Sequence, residues 1–159
     1  MKRIIIFISL ITILSLTGCF PGGNADNNIS KDGRIGNHFY IGQPESELQD
    51  HGIYYVSTPE HGQYIFYKYG QNEVYVCPST HKVFGARLWN SAQEPANRGM
   101  TTWLNVRFDP SEQSLINNPR LSWYQPASSY RASNDKSIIY DFVFQNGRFS
   151  FLAIGSPCS

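Results

Sequence analysis

A mainly β fold is what this sequence predicts: an antiparallel sheet or compact sandwich with one or two short helices, with α+β as the other reading. Three observations carry it. Aromatics are dense, with ten Tyr, ten Phe and three Trp in 159 residues, and rings pack well on pleated, half-buried surfaces. Short apolar runs recur between clusters of Gly, Pro and Asn, which is the spacing of strands and turns. Near the end, Asn146-Gly147 separates two such runs, the strongest short hairpin signal a sequence offers.

The chain opens with Lys2 and Arg3 before an apolar run over residues 4–14. That run is about half the roughly 20 residues a spanning helix needs, and it has the layout of a secretory signal. Leu16-Thr17-Gly18-Cys19 follows and resembles the lipobox of bacterial lipoproteins. The resemblance implies cleavage after residue 18, with Cys19 as the lipidated N-terminus. Phe20 stands where Asp resembles an inner-membrane retention signal. The implied address is therefore the outer membrane, lipid-anchored and facing the periplasm. The expected division is a signal peptide over 1–18, a lipidated N-terminus and flexible tether over 19–36, and one β-rich domain over 37–159.

Loss of Lys2 and Arg3 from thirteen basic residues leaves eleven against twelve acidic ones. No basic stripe remains, so nucleic acid is not an expected partner. Residues 20–36, with Pro21-Gly22-Gly23-Asn24, Asn27-Asn28, Gly33 and Gly36, offer little apolar surface and read as the tether.

The domain's elements follow in order. Residues 38–41 read as a short strand. Pro44 with Glu45 and Glu47 marks a helix start, with Pro first and acids in the first turn, and Gly52 ends it. Residues 53–56, 64–69 and 73–77 are strands, the last two joined by Gly70-Gln71-Asn72 as a hairpin. Residues 83–89 and 102–108 are further strands. In the latter, Thr102, Leu104, Val106 and Phe108 share one face, and Trp103, Asn105 and Arg107 the other. Asp109-Pro110-Ser111-Glu112 has the form of a helix cap, with Asp109 as the cap and the helix ending near Pro119. Residues 121–124 are an edge strand, and 126–136 a polar loop. With Asn146-Gly147 as a two-residue turn, Phe144 faces Phe149, Phe142 faces Phe151 and Tyr140 faces Ala153 across the last hairpin. Besides the lipidated Cys19, the cysteines left after cleavage are Cys77 and Cys158. In an exported protein they are expected to form a disulfide.

His38, His51, His61 and His81 show no zinc-ligand spacing, and no nucleophile elbow or phosphate loop occurs. No cofactor, metal or catalytic set is expected. A small hydrolase with His61 or His81 as base is the least favoured function. Aromatic recognition is the stronger expectation. Trp103 and Arg107 are expected to share an outward face, with Tyr67 and Tyr69 as further partner-surface candidates; Trp and Arg are common binding anchors. The alternative for Trp103 is a core position under a second layer. Asp141 and Glu73 are acids that could pair with basic groups of a partner.

Two further resemblances bear on function. Cys19-Phe20-Pro21-Gly22-Gly23-Asn24 resembles the start of small envelope lipoproteins regarded as periplasmic immunity proteins of type VI secretion systems, with Phe20 interrupting the motif. That implies a non-enzymatic β-domain that binds and neutralises a secreted toxin. Ile41-Gly42-Gln43-Pro44-Glu45-Ser46-Glu47-Leu48 resembles the helix start of small envelope lipoproteins, a group that includes the small lipoprotein of the β-barrel assembly machinery and β-lactamase-inhibitor-like domains, with Gln43-Pro44 in place of the usual Met-Thr or Met-Ser. That implies an envelope-assembly or envelope-stabilising role, with an envelope component as partner.

Overall fold

The structure, a computed structural model, describes residues 28–56 and 64–158. Cys19 and His61 lie outside these residues. Among the described residues, twelve strands form two sheets around one core. The larger sheet has eight strands in the order β4-β5-β6-β7-β12-β11-β10-β9. They are β4 (Tyr54–Val56), β5 (Ile65–Tyr69), β6 (Asn72–Cys77), β7 (Lys82–Trp89), β9 (Ser122–Tyr124), β10 (Ser129–Ser133), β11 (Ile139–Gln145) and β12 (Arg148–Gly155). All its pairings are antiparallel. The smaller sheet is built from two-residue strands in the order β3-β2-β1-β8: β1 (Asn28–Ile29), β2 (Arg34–Ile35), β3 (Phe39–Tyr40) and β8 (Thr101–Thr102). β1 runs parallel to β8. No helix among the described residues is long and apolar enough to cross a membrane.

Alternation decides which side chains fill the core. Val74, Ala86, Leu88, Leu152, Ile154, Tyr140 and Phe142 come from the inner face of the large sheet, and all are buried. Ile29, Ile35, Phe39, Met100, Leu104, Val106 and Leu115 meet them from the small sheet and its connections in one cluster. Ile29 and Ile35 are each 1% exposed, so the folded domain begins by Asn28, ahead of the tether boundary expected at residue 36. Their apolar side chains take the stretch into the core despite the Gly and Asn around them.

Two β-bulges set the register. Between β6 and β7 the pairs Tyr75↔Gly85 and Val76↔Val83 leave Phe84 as the extra residue. Between β11 and β12, Phe144 faces Phe149 as expected, but the next pair is Val143↔Phe151, leaving Ser150 extra. Phe142 therefore faces Leu152, and Tyr140 faces Ile154. A one-residue slip moves side chains to the opposite face, so Phe151 leaves the core side. The turn itself is as expected: Asn146 and Gly147 have φ 51° and 71°, the double left-handed geometry of the tightest hairpins.

Four other expectations change. Residues 102–108 are not a continuous strand, since only Thr101–Thr102 pairs as one and Asn105 sits at φ 60°. Burial still alternates there, with Thr102, Leu104, Val106 and Phe108 inside. The helix α1 (Glu112–Ile116) is capped by the Ser111 side chain, which accepts from the Ser114 N–H. Asp109 is occupied instead by the backbone N–H of Ser91 at 3.0 Å and by the Ser91 hydroxyl. The polar stretch 126–136 contains β10, whose Tyr130 and Ala132 reach the core. The helix expected after Pro44 consists of two successive 3-10 turns, Glu45–Glu47 and Gln49–His51, ended by Gly52 in the left-handed region.

Cys77, at the end of β6, and Cys158 are disulfide-bonded, with Cα atoms 5.5 Å apart across 81 residues of sequence. The bond ties the C-terminal end to the middle of the large sheet.

Candidate functional site

The outer face of the large sheet concentrates the groups suited to recognition. Cross-strand pairing sorts its side chains into three rows. The middle row runs Lys68, Glu73, Arg87, Ala153, Asp141, Arg131 through successive partners. It is a ladder of alternating charge, and adjacent opposite charges stabilise such pairs modestly. Arg87 meets Glu73 at 3.0 Å. Arg131 holds Asp141 through two parallel bonds, Nε to Oδ1 at 2.7 Å and Nη2 to Oδ2 at 2.6 Å, and Ser129 donates to the same carboxylate at 3.0 Å. Hydrogen bonding to Asp141 holds the Arg131 guanidinium charged, above its ordinary range. Both acids considered for partner contacts are thus already claimed by arginines of the same face.

The rows on either side are aromatic. On one, Phe66 stacks on Tyr75 with ring centroids 5.8 Å apart, and Tyr64 and Phe84 close around Tyr75. Burial first, and then the hydrogen bond to Glu73, push the Tyr75 phenol up, so it stays neutral. On the other, Trp89 and Phe151 meet edge to face at 5.3 Å. The guanidinium groups tie ladder to rows: Arg87 lies 4.6 Å from the Phe151 centroid, and Arg131 lies 3.5 Å from that of Tyr124. Cations over ring faces gain from the quadrupole.

Within the first row the sheet is bare. Gly85 and Gly155 are direct cross-strand partners. Around them opens a slot of about 410 Å³ walled by Tyr75, Phe84 and Ile139, with Arg131 and Asp141 at its rim. The signal for it in sequence was the lone glycine inside the 83–89 strand, which marks a bulge or a close approach.

A second cleft, of about 580 Å³, lies where the 3-10 turns meet the β6–β7 turn, lined by Glu45, Ser46, Tyr67, Thr80, His81 and Lys82 among others. The Glu45 carboxylate accepts from the Tyr67 hydroxyl at 2.6 Å on Oε1 and pairs with His81 Nδ1 at 2.6 Å on Oε2. Burial works against its charge, but the bonds from Tyr67 and His81 outweigh it and hold the Glu45 carboxyl below its ordinary value. The Tyr67 phenol is pushed up, by burial and then by Glu45. A carboxylate orienting an imidazole is two parts of a base-catalysed arrangement. Among the described residues, no group of three or more His, Cys, Asp and Glu could hold a metal ion.

The surface residues expected from sequence do not assemble into one exposed patch. Tyr67 is 5% exposed, because it shares the inward parity of Val74, its cross-strand partner. Tyr69 is half-buried against the core, with its hydroxyl 2.9 Å from His38 Nε2. Trp103 packs edge-on to Tyr140, with Arg120 on its face. It is therefore part of the core wall, as in its alternative placement, while Arg107 is exposed.

Compared with known proteins, the chain matches no family model, no curated protein and no solved structure.

Proposed function

We propose that this protein is a non-enzymatic lipoprotein, anchored through Cys19 at the periplasmic side of the outer membrane, that binds a secreted toxin and neutralises it. The observation that carries the binding reading is the outer face of the large sheet. It gathers Trp89, Tyr75, Tyr124, Arg87 and Arg131, drawn from the three residue types that dominate binding hot spots. Their ring and ion-pair contacts run within the face. A partner would therefore meet side chains already held in place, which lowers the ordering cost of association. The disulfide contributes in the same direction, since it restrains the segment after β12 that borders the face. Neutralisation would follow from occlusion of the toxin's working cleft by this rigid surface.

The test is capture of the native lipoprotein from gently crosslinked cells, with partners identified by mass spectrometry, alongside Arg87→Ala and Trp89→Ala. Recovery of one secreted effector in near-equal amount, lost in both variants while they remain folded, supports the reading. Recovery of outer-membrane or peptidoglycan components instead would replace it with the envelope-stabilising role. Hydrolase activity abolished by His81→Ala in a folded protein would replace it with an enzymatic one.

A further inference from the structure

Resting on the docking-face reading above, we infer that the slot over Gly85 and Gly155 is the anchor pocket of that face, and that it receives an uncharged aromatic side chain of the partner protein. Three features converge on this. The first is how the slot is built. The bulge in β7 places Phe84 and Gly85, which are consecutive, on the same outer face. Phe84 becomes a wall and Gly85 a floor, a use of bulges to re-aim side chains.

The second is the bareness of the floor. Glycine inside a strand weakens it, and neither Gly85 nor Gly155 has a positive φ that would demand glycine. At Gly155 there is a packing reason, since an added Cβ would lie 3.2 Å from the Phe84 carbonyl oxygen. At Gly85 there is none of that severity: an added Cβ would meet Tyr75 at 3.4 Å and the Ile154 carbonyl at 3.5 Å, ordinary contacts. What Gly85 supplies is empty space in front of Tyr75.

The third is charge. The slot's lining is mostly apolar; its charged members, Arg131 and Asp141 at the rim, are locked to each other, and Ser156 adds one uncharged hydroxyl. The rim offers no net charge, so a carboxylate or ammonium entering the slot would lose water without gaining a counter-ion, which is costly. A neutral ring matches a neutral slot. It also finds edge-to-face partners in Tyr75 and Phe84, the preferred geometry between rings. The slot has room for such a ring and the backbone that carries it.

The experiment uses the mature chain from Cys19 to Ser159 with Cys19→Ser, so that no lipid competes for the probe. N-acetyl-tryptophanamide is titrated while the backbone amide resonances are followed. The expected result is saturable shifts centred on Gly85, Ala153 and Gly155, weakened about tenfold by Gly85→Ala. The charged analogues N-acetyl-tryptophan and N-acetyl-lysinamide should bind less well. Absence of shifts there, equal binding of the charged probes, or preferential binding of N-acetylglucosamine would each overturn the assignment. Partner capture separates this inference from the face reading. If Gly85→Ala retains the partner while Trp89→Ala loses it, the pocket is refuted and the face stands. If all the variants retain it, both fall.

Discussion

The Tyr140 hydroxyl donates to the backbone carbonyl of Ser30 at 2.8 Å, joining residues 110 apart in sequence. The Lys31 carbonyl lies 3.0 Å from the same hydroxyl. Tyr140 is fully buried on the inner face of β11, so one phenol fastens the turn between β1 and β2 to the large sheet. Tyr140→Phe keeps the ring but removes this donor, leaving the Ser30 carbonyl to the Gly33 N–H and the Lys31 carbonyl to the Asn134 amide, and should destabilise the domain by about 0.5–1.5 kcal/mol. Urea unfolding checks this; an unchanged midpoint would mean the turn is held by other contacts.

The disulfide should matter more. Opening Cys77–Cys158, which spans 81 residues, by paired Ala substitution should cost about 2–4 kcal/mol, chiefly through a freer unfolded chain. The measurement is urea unfolding of both forms. A loss well under 1 kcal/mol would show that the unfolded chain is already restricted.

The Glu45 cluster sets a pH dependence with a definite sign. The folded carboxyl lies below its ordinary 4.5. Its contribution is therefore complete above that value and is lost as pH falls through the lower, folded value. The stability difference between wild type and Glu45→Gln should be present at about pH 5 to 6 and shrink as pH falls below the carboxyl's ordinary 4.5. A difference that instead grew as pH fell below 4.5 would refute the assignment of the shift to the Tyr67 and His81 bonds.

Trp103 presents a buried indole N–H with no hydrogen-bond partner among the described residues. Trp103→Phe removes that polar group and keeps much of the ring, and is expected to change stability by less than about 1 kcal/mol. Trp103→Ala should cost about 2–4 kcal/mol through the lost packing on Tyr140. Thermal melts of the two variants side by side make the comparison; similar losses would show that the N–H is satisfied after all.

The paired glycines should also respond unequally. Gly85→Ala meets side-chain and backbone atoms at ordinary contact distance, whereas Gly155→Ala presses on the Phe84 carbonyl. Gly85→Ala should be near neutral, and Gly155→Ala should lose about 1–3 kcal/mol from overpacking. Chemical denaturation of each decides it, and the reverse order would place the tighter contact at Gly85.

The hairpins were legible in sequence because their signals are local. Alternation over residues 64–77 and the Asn146-Gly147 turn need only neighbours to be read. β10 was hidden because Ser129 and Arg131 look like loop residues until Asp141 is opposite them to accept their hydrogen bonds. Asp109 failed as a cap because Ser91, 18 residues earlier, competes for its carboxylate. The Glu45 cluster joins residues 22 and 36 apart, a spacing no motif describes. The bulges at Phe84 and Ser150 left no composition signal beyond Gly85, yet they decide which aromatics face outward.

Because successive side chains alternate between faces, the large sheet stores two messages in one chain. One set of positions specifies the fold, and on the docking-face reading the other specifies what the sheet meets. Selection can rewrite Phe66, Tyr75, Arg87, Trp89 and Phe151 while Val74, Ala86, Leu88 and Leu152 stay fixed. A lineage whose adversary keeps changing would diverge with a period of two along these strands, and the phase of that pattern would invert at Phe84 and again at Ser150.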